Sequence, residues 1–161
     1  MKKVAFIIVC ILFMTGSAMA QFPIKKGNVL INANLSDVDL SFGDGTSFTL
    51  NAYGGYFIID NLAIAGGLGI HAEDSYNKFS IDAGARYYFL EQSKGSFFAA
   101  GLLNVTKYED VDATFGLKFQ GGYAFFVNQH ISLEPMVSLW LPFSSGYDVT
   151  FSIGGGISIY F

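Results

Sequence analysis

Cysteine is almost missing from this chain: Cys10 is the single one among 161 residues, so everything after it is without disulfides, thiols or cysteine-based metal sites. The residues before it, Phe6-Ile-Ile-Val9, lack the small residue that a lipoprotein cleavage box sets directly ahead of its cysteine, which argues against a lipid anchor. Long apolar runs are missing too. Beyond Met14 no stretch approaches the roughly 20 apolar residues of a membrane-spanning helix. Basic charge is scarce as well: nine Lys and Arg against thirteen Asp and Glu give a formal net charge of −4, which disfavours nucleic acid as a partner.

What is present begins with an export signature. Lys2 and Lys3 form a positive n-region, Val4 to Met14 an apolar h-region of eleven residues, and Ala18-Met19-Ala20 a small-x-small cleavage site. Eleven residues are too few for a membrane anchor, so residues 1–20 read as a cleavable signal peptide and 21–161 as a single domain.

Composition then poses a contradiction. The sequence is 52% apolar and 17% aromatic with a mean hydropathy of +0.42, greasier than an ordinary soluble domain, yet it has no helix-length apolar run. Alternation resolves it. Near the carboxy terminus Val149, Phe151, Ile153, Gly155, Ile157, Ile159 and Phe161 share one face, and Thr150, Ser152, Gly154, Gly156, Ser158 and Tyr160 the other. Strands of this kind can turn one apolar face to lipid while every backbone group bonds to a neighbouring strand, so the pattern predicts a closed transmembrane β-barrel. A secreted sandwich or lipocalin-like barrel would need a polar outer face that this chain lacks.

The alternation gives eight candidate strands, over 28–36, 47–58, 62–70, 79–89, 96–106, 114–126, 131–141 and 149–161, and hence an all-β, eight-stranded, antiparallel up-and-down barrel. Leu68 and Phe119 fall outward, while Asp82, Arg86, Lys118 and Glu134 fall inward. Leu30 interrupts the inner pattern of the first strand, and the doublets Phe97-Phe98 and Leu102-Leu103 leave the faces of the fifth open. Asp60-Asn61 makes a tight turn. Inward glycines, Gly67 and Gly116 among them, make room for the large inward Tyr53, Tyr88 and Trp140, and could equally leave a cavity. Aromatics gather beside the short turns: Tyr56, Phe57, Tyr87, Tyr88, Phe89, Tyr123, Phe125, Phe126, Tyr160 and Phe161 predict an interfacial girdle at the end where both termini lie.

The Gly84-Ala-Arg-Tyr-Tyr-Phe89 segment, the Asp60-Asn61-Leu62 turn and the closing strand that ends on Phe161 resemble the small eight-stranded OmpX/OmpW-like, "porin family" outer-membrane β-barrel domain across 21–161. The resemblance implies a bacterial outer-membrane location with both termini periplasmic, contact with outer-membrane lipids and lipopolysaccharide, and recognition of the terminal strand (Phe151, Ile153, Ile157, Ile159 and Phe161) by the barrel-assembly machinery. In two respects the chain departs from larger members. Its outer loops read as short, and no peptidoglycan-binding domain is expected after Phe161.

An eight-stranded lumen is wide enough only for side chains or one small ligand. Two acids and two bases inside it, Asp82, Arg86, Lys118 and Glu134, should pair into one lumenal charge network, because an unpaired buried charge costs several kcal/mol. They read as a structural plug. Catalysis has little support: His130-x-Ser132 with Glu134 resembles a PagL-like lipid A deacylase only in a His-x-Ser spacing, placed at a periplasmic turn rather than near the outer leaflet. His71, Glu73 and Asp74 lack the further histidine that a metal site would want, and Gly154-Gly-Gly156 lies inside a strand, so it is no phosphate loop. The outer rim is acidic, with Asp37, Asp39, Asp44, Glu73, Asp74, Glu109, Asp110, Asp112 and Asp148 against Lys78 and Lys107. A solvated loop set explains it more simply than cation bridging of lipopolysaccharide. The expectation is therefore a non-enzymatic, cofactor-free outer-membrane barrel with a structural or interaction role and no identified protein partner. The alternatives are a narrow channel or carrier for a small apolar or amphipathic ligand and, more remotely, an outer-leaflet lipid-modifying enzyme.

Overall fold

The computed structural model describes residues 22–40, 46–73, 76–108, 113–144 and 148–161, the side chains of 35–40, 46–49, 71–73, 76–77 and 108 excepted; the signal peptide expected at 1–20 lies outside the described residues. Eight strands follow one another: β1 (Val29–Leu40), β2 (Thr46–Ile59), β3 (Leu62–Glu73), β4 (Tyr76–Gln92), β5 (Gly95–Tyr108), β6 (Thr114–Phe126), β7 (Ile131–Pro142) and β8 (Thr150–Tyr160). Each pairs antiparallel with the next, and β8 pairs with β1 to close the barrel.

The stagger of this wall sets what can meet inside. Following the pairings from Leu30 through Gly55, Ala65, Gly84, Leu102, Lys118 and Trp140 leads to Thr150. Leu30 is paired directly with Tyr160, ten residues away (160 − 150 = 10). Eight strands with that stagger tilt by about 40° and enclose a space that side chains can fill.

Period-2 alternation holds in every strand. Ile64, Leu68, Phe119, Val137 and Ile157 stand on the outer surface, with Ile153 as much as 71% exposed. An outer face this apolar belongs in lipid. In β5 the doublets resolve with Phe97, Ala99, Gly101 and Leu103 outward and Phe98, Ala100, Leu102 and Asn104 inward. One irregularity lies in the wall between β6 and β7, where pairing jumps from Gly122 with Met136 to Phe125 with Leu133. Pro135 sits in that gap, and its nitrogen has no proton to donate.

At one end the turns are short: Asp60-Asn61, residues 93–94 and residues 127–130. Asn61 takes the left-handed conformation (φ 68°) that asparagine tolerates. The floor of the lumen at this end is apolar, built on Leu30, Phe57, Phe98, Phe126 and Met136. Leu30 thus interrupts the polar inner pattern because it belongs to that floor. The expected girdle of ten aromatics needs a correction for the same reason. Tyr56, Tyr87, Phe89, Tyr123, Phe125 and Phe161 do face outward, but Phe57, Tyr88, Phe126 and Tyr160 turn into the lumen and are buried. Consecutive aromatics on a strand must alternate faces, so each doublet gives one ring to lipid and one to the floor. The outer rings form a run from Tyr87 to Phe89 (centroids 6.4 Å apart), Phe97 (6.2 Å) and Tyr123 (4.9 Å).

Alternation assigns residues 22–27 no role. They fold back across the short-turn mouth as a strap, with Ile24 fully buried against the apolar floor and Phe22 on the Phe126 ring at 4.9 Å.

Candidate functional site

Among the described residues, two ion pairs cross the lumen. Arg86 on β4 reaches Glu134 on β7, three strands away, and both are almost wholly buried. Glu134 is saturated: its Oε1 accepts from the Ser132 hydroxyl (2.7 Å) and the Tyr160 hydroxyl (2.9 Å), its Oε2 from the Asn32 amide (3.2 Å) and from Arg86. The Arg86 guanidinium lies over Phe98, 3.6 Å from the ring centroid, and 5.0 Å from the Tyr88 ring. Tyr88 and Tyr160 bring their hydroxyls within 3.1 Å of each other. A buried charge pair is tolerable only when the spare lone pairs and protons are satisfied in this way, and Arg86 Nε alone is left without an acceptor.

The second pair, Lys118 on β6 and Asp82 on β4, is 3.3 Å apart and has its own partners. Asp82 accepts from the Tyr53 hydroxyl at 2.7 Å and the Asn104 amide at 2.6 Å, and Lys118 donates to the Tyr53 oxygen at 2.9 Å. Thr106 donates to Asn104 at 2.8 Å. The four charges that alternation aims inward are all inside, but they sort into two pairs rather than one cluster of four. Beside them an amide ladder runs from Asn51 to Asn34 (3.1 Å) and from Asn34 to Asn32 (2.9 Å). Sequence reasoning assigned Asn51 and Asn104 no part in this; their signal is the two-residue spacing that puts them on the inner face.

Glycines make the bulky inward groups fit. A Cβ at Gly67 would run into the Tyr53 ring, and one at Gly116 would come within 2.7 Å of Trp140 Nε1.

His130 and Ser132 do not form a catalytic dyad. His130 lies exposed on the β6–β7 turn and donates from Nδ1 to the Tyr160 carbonyl (3.0 Å), while Ser132 is sealed in the lumen on Glu134. The side chains of His71 and Glu73, together with Asp74, lie outside the described residues, as does most of the acidic rim; Asp148 is described and exposed. Outside the wall, the Asp60 carboxyl is held below its ordinary range, first by the Lys26 backbone N–H (2.9 Å) and then by the Lys25 ammonium (3.3 Å). In the terminal strand Phe151, Ile153, Ile157, Ile159 and Phe161 face outward. Phe161 also exchanges two backbone bonds of 3.0 Å with Val29 across the closing seam.

No protein-family model and no curated protein sequence matches the chain. Solved structures do. The N-terminal β-barrel domain of Pseudomonas aeruginosa OprF superposes with a TM-score of 0.68 at 14% identity, covering 84% of this chain and 98% of that one. Neisserial surface protein A gives 0.59 at 19%, covering 83% and 96%. The outer membrane protein OprG from Pseudomonas aeruginosa gives 0.57 at 11%, covering 88% and 99%. With its closed wall, apolar exterior and charge-paired interior, the chain has the fold of the small eight-stranded outer-membrane β-barrels.

Proposed function

We propose that this is an integral protein of the bacterial outer membrane, with both termini periplasmic, whose role is structural or interactive rather than conductive or enzymatic. The observation that carries this reading is the Arg86–Glu134 pair seated on an apolar floor: a charge-saturated layer above tightly packed rings offers no continuous wet path. The outward apolar face fits membrane lipids, with lipopolysaccharide as the outer-leaflet neighbour, and the outward face of β8 fits recognition by the assembly machinery. No reaction is assigned, because the only His-x-Ser pair is split between the surface and the lumen. The test is fractionation together with planar-bilayer recording. The protein should co-sediment with the outer membrane, migrate faster unheated than boiled, and show no steady conductance; recovery from the soluble periplasm would overturn the reading.

A second reading, a carrier of a small ligand, is favoured by one asymmetry. Inward Gln120 and Ser138 on β6 and β7 are half-buried, whereas Asn51, Asp82 and Asn104 on the facing wall are buried. Polar side chains left partly open in this way suit a polar solute rather than an apolar one. Saturable binding of such a solute, lost on Ser138→Phe, would favour the carrier.

A further inference from the structure

The barrel wall begins at Val29, yet one of the fully buried side chains in its floor, Ile24, does not belong to the wall. It arrives on a strap that leaves β1, reverses at Gly27 in a conformation (φ 93°) that glycine adopts readily, and crosses the mouth to the β2–β3 turn. There the Asn61 amide donates to the Ile24 carbonyl at 2.9 Å, and Asp60 accepts from the Lys26 amide and the Lys25 ammonium. Closer to β1 the Gly27 amide donates to the Phe57 carbonyl at 2.9 Å, and the Asn28 side chain to the Pro23 carbonyl at 2.8 Å.

These fastenings differ in kind from those of the wall. Lys25 and Asp60 are 42% and 57% exposed, so that tie competes with water, and Ile24 is the single aliphatic anchor that reaches the floor. A segment held by Ile24, the adjoining buried Pro23, the half-buried Phe22 and a few bonds at the solvent edge opens at lower free energy than strands locked into a closed sheet. The wall side chains beneath it cannot leave without breaking the barrel; the strap can.

We propose that residues 22–26 are a lid: they make the short-turn end of the lumen watertight, and they can lift while the barrel stays folded. The lumen then has two closures in series, a side-chain bolt at Arg86–Glu134 and a chain segment beneath it.

The test uses a cysteine buried under the strap. Ala63 is fully buried in the floor, and the chain has no cysteine after Cys10, so Ala63→Cys in residues 21–161, folded into phosphatidylcholine vesicles, gives one reporter thiol. N-ethylmaleimide should modify it slowly. Adding Ile24→Asp, which puts a charge where the lid is apolar, should speed labelling at least tenfold, and adding Asp60→Ala should speed it by a smaller factor. The faster mobility of the unheated protein should be retained in both. Labelling of a separate Ser138→Cys reporter, nearer the other end of the lumen, should not change. Unchanged labelling at position 63 in the strap variants would overturn the lid, as would parallel acceleration at position 138, which would mean that the whole barrel has loosened. If Ile24→Asp does not fold, the Asp60→Ala comparison decides alone.

Discussion

Arg86 and Glu134 sit on facing walls of the lumen, and among the described residues each is the only charged partner of the other in a layer otherwise made of hydroxyls, amides and rings. Removing one leaves the other buried and uncompensated, and that loss exceeds what the intact pair contributes. Arg86→Ala should therefore destabilise the barrel by about 3 kcal/mol in urea unfolding from lipid vesicles, while Arg86→Ala with Glu134→Gln recovers part of it. Strict additivity of the two variants would show that the pair is not coupled.

Lipid and lumen faces should respond differently to the same charge. Leu68→Arg or Phe119→Arg places a guanidinium on the apolar exterior and should cost about 2 to 4 kcal/mol of insertion if the site is near the midplane. At half-buried, inward Ser138 an arginine can extend along the polar lumen, and the penalty should be clearly smaller. Equal penalties in the same unfolding assay would contradict the assignment of faces.

Pro135 interrupts the β6–β7 ladder, so Pro135→Ala should let the new N–H donate to β6 and stabilise the barrel by about 1 kcal/mol. Slow hydrogen exchange at amide 135, beside slower exchange at Tyr123 and Ala124, is the direct readout; a freely exchanging amide 135 would refute it.

The strap should be sensitive to acid. The Asp60 carboxyl lies below its ordinary value in the folded protein, so the hold it contributes is fully present above the unfolded carboxylate value of about 3.9 and fades as pH falls through the lower folded value. The Ile24 methyl resonances should be constant from pH 7 to 5 and shift toward solvent-exposed positions only once the pH has fallen below the unfolded carboxylate value. Asp60→Asn should abolish that titration. A shift centred near neutrality would implicate another group.

The period of two carried the architecture because it is a local property: any strand whose neighbours alternate as β8 does reveals its faces without reference to the rest of the chain. Which inward residues meet is not local. Alternation aims Arg86, Asp82, Lys118 and Glu134 at the lumen, but their heights depend on eight registers added around the wall, and only the ten-residue stagger sets Arg86 level with Glu134 and Asp82 level with Lys118. Aromatic doublets hid the floor, since a girdle and a plug draw on the same residue types at adjacent positions. The strap was hidden because Phe22-Pro-Ile24 is too short to show any period, and its direction is decided at Gly27.

The bonds around Glu134 gather Asn32 from β1, Arg86 from β4, Ser132 from β7 and Tyr160 from β8 onto one carboxylate. A slip of β8 by one residue against β1 would swing Tyr160 and Ser158 into lipid and leave Glu134 short of a donor. The lumen thus acts as a gauge for the seam: the strand that closes the cylinder is checked for register by the Tyr160 hydroxyl, which finds its acceptor on Glu134, and by the Ser158 hydroxyl, which meets the Asn32 amide, only when the closure is correct.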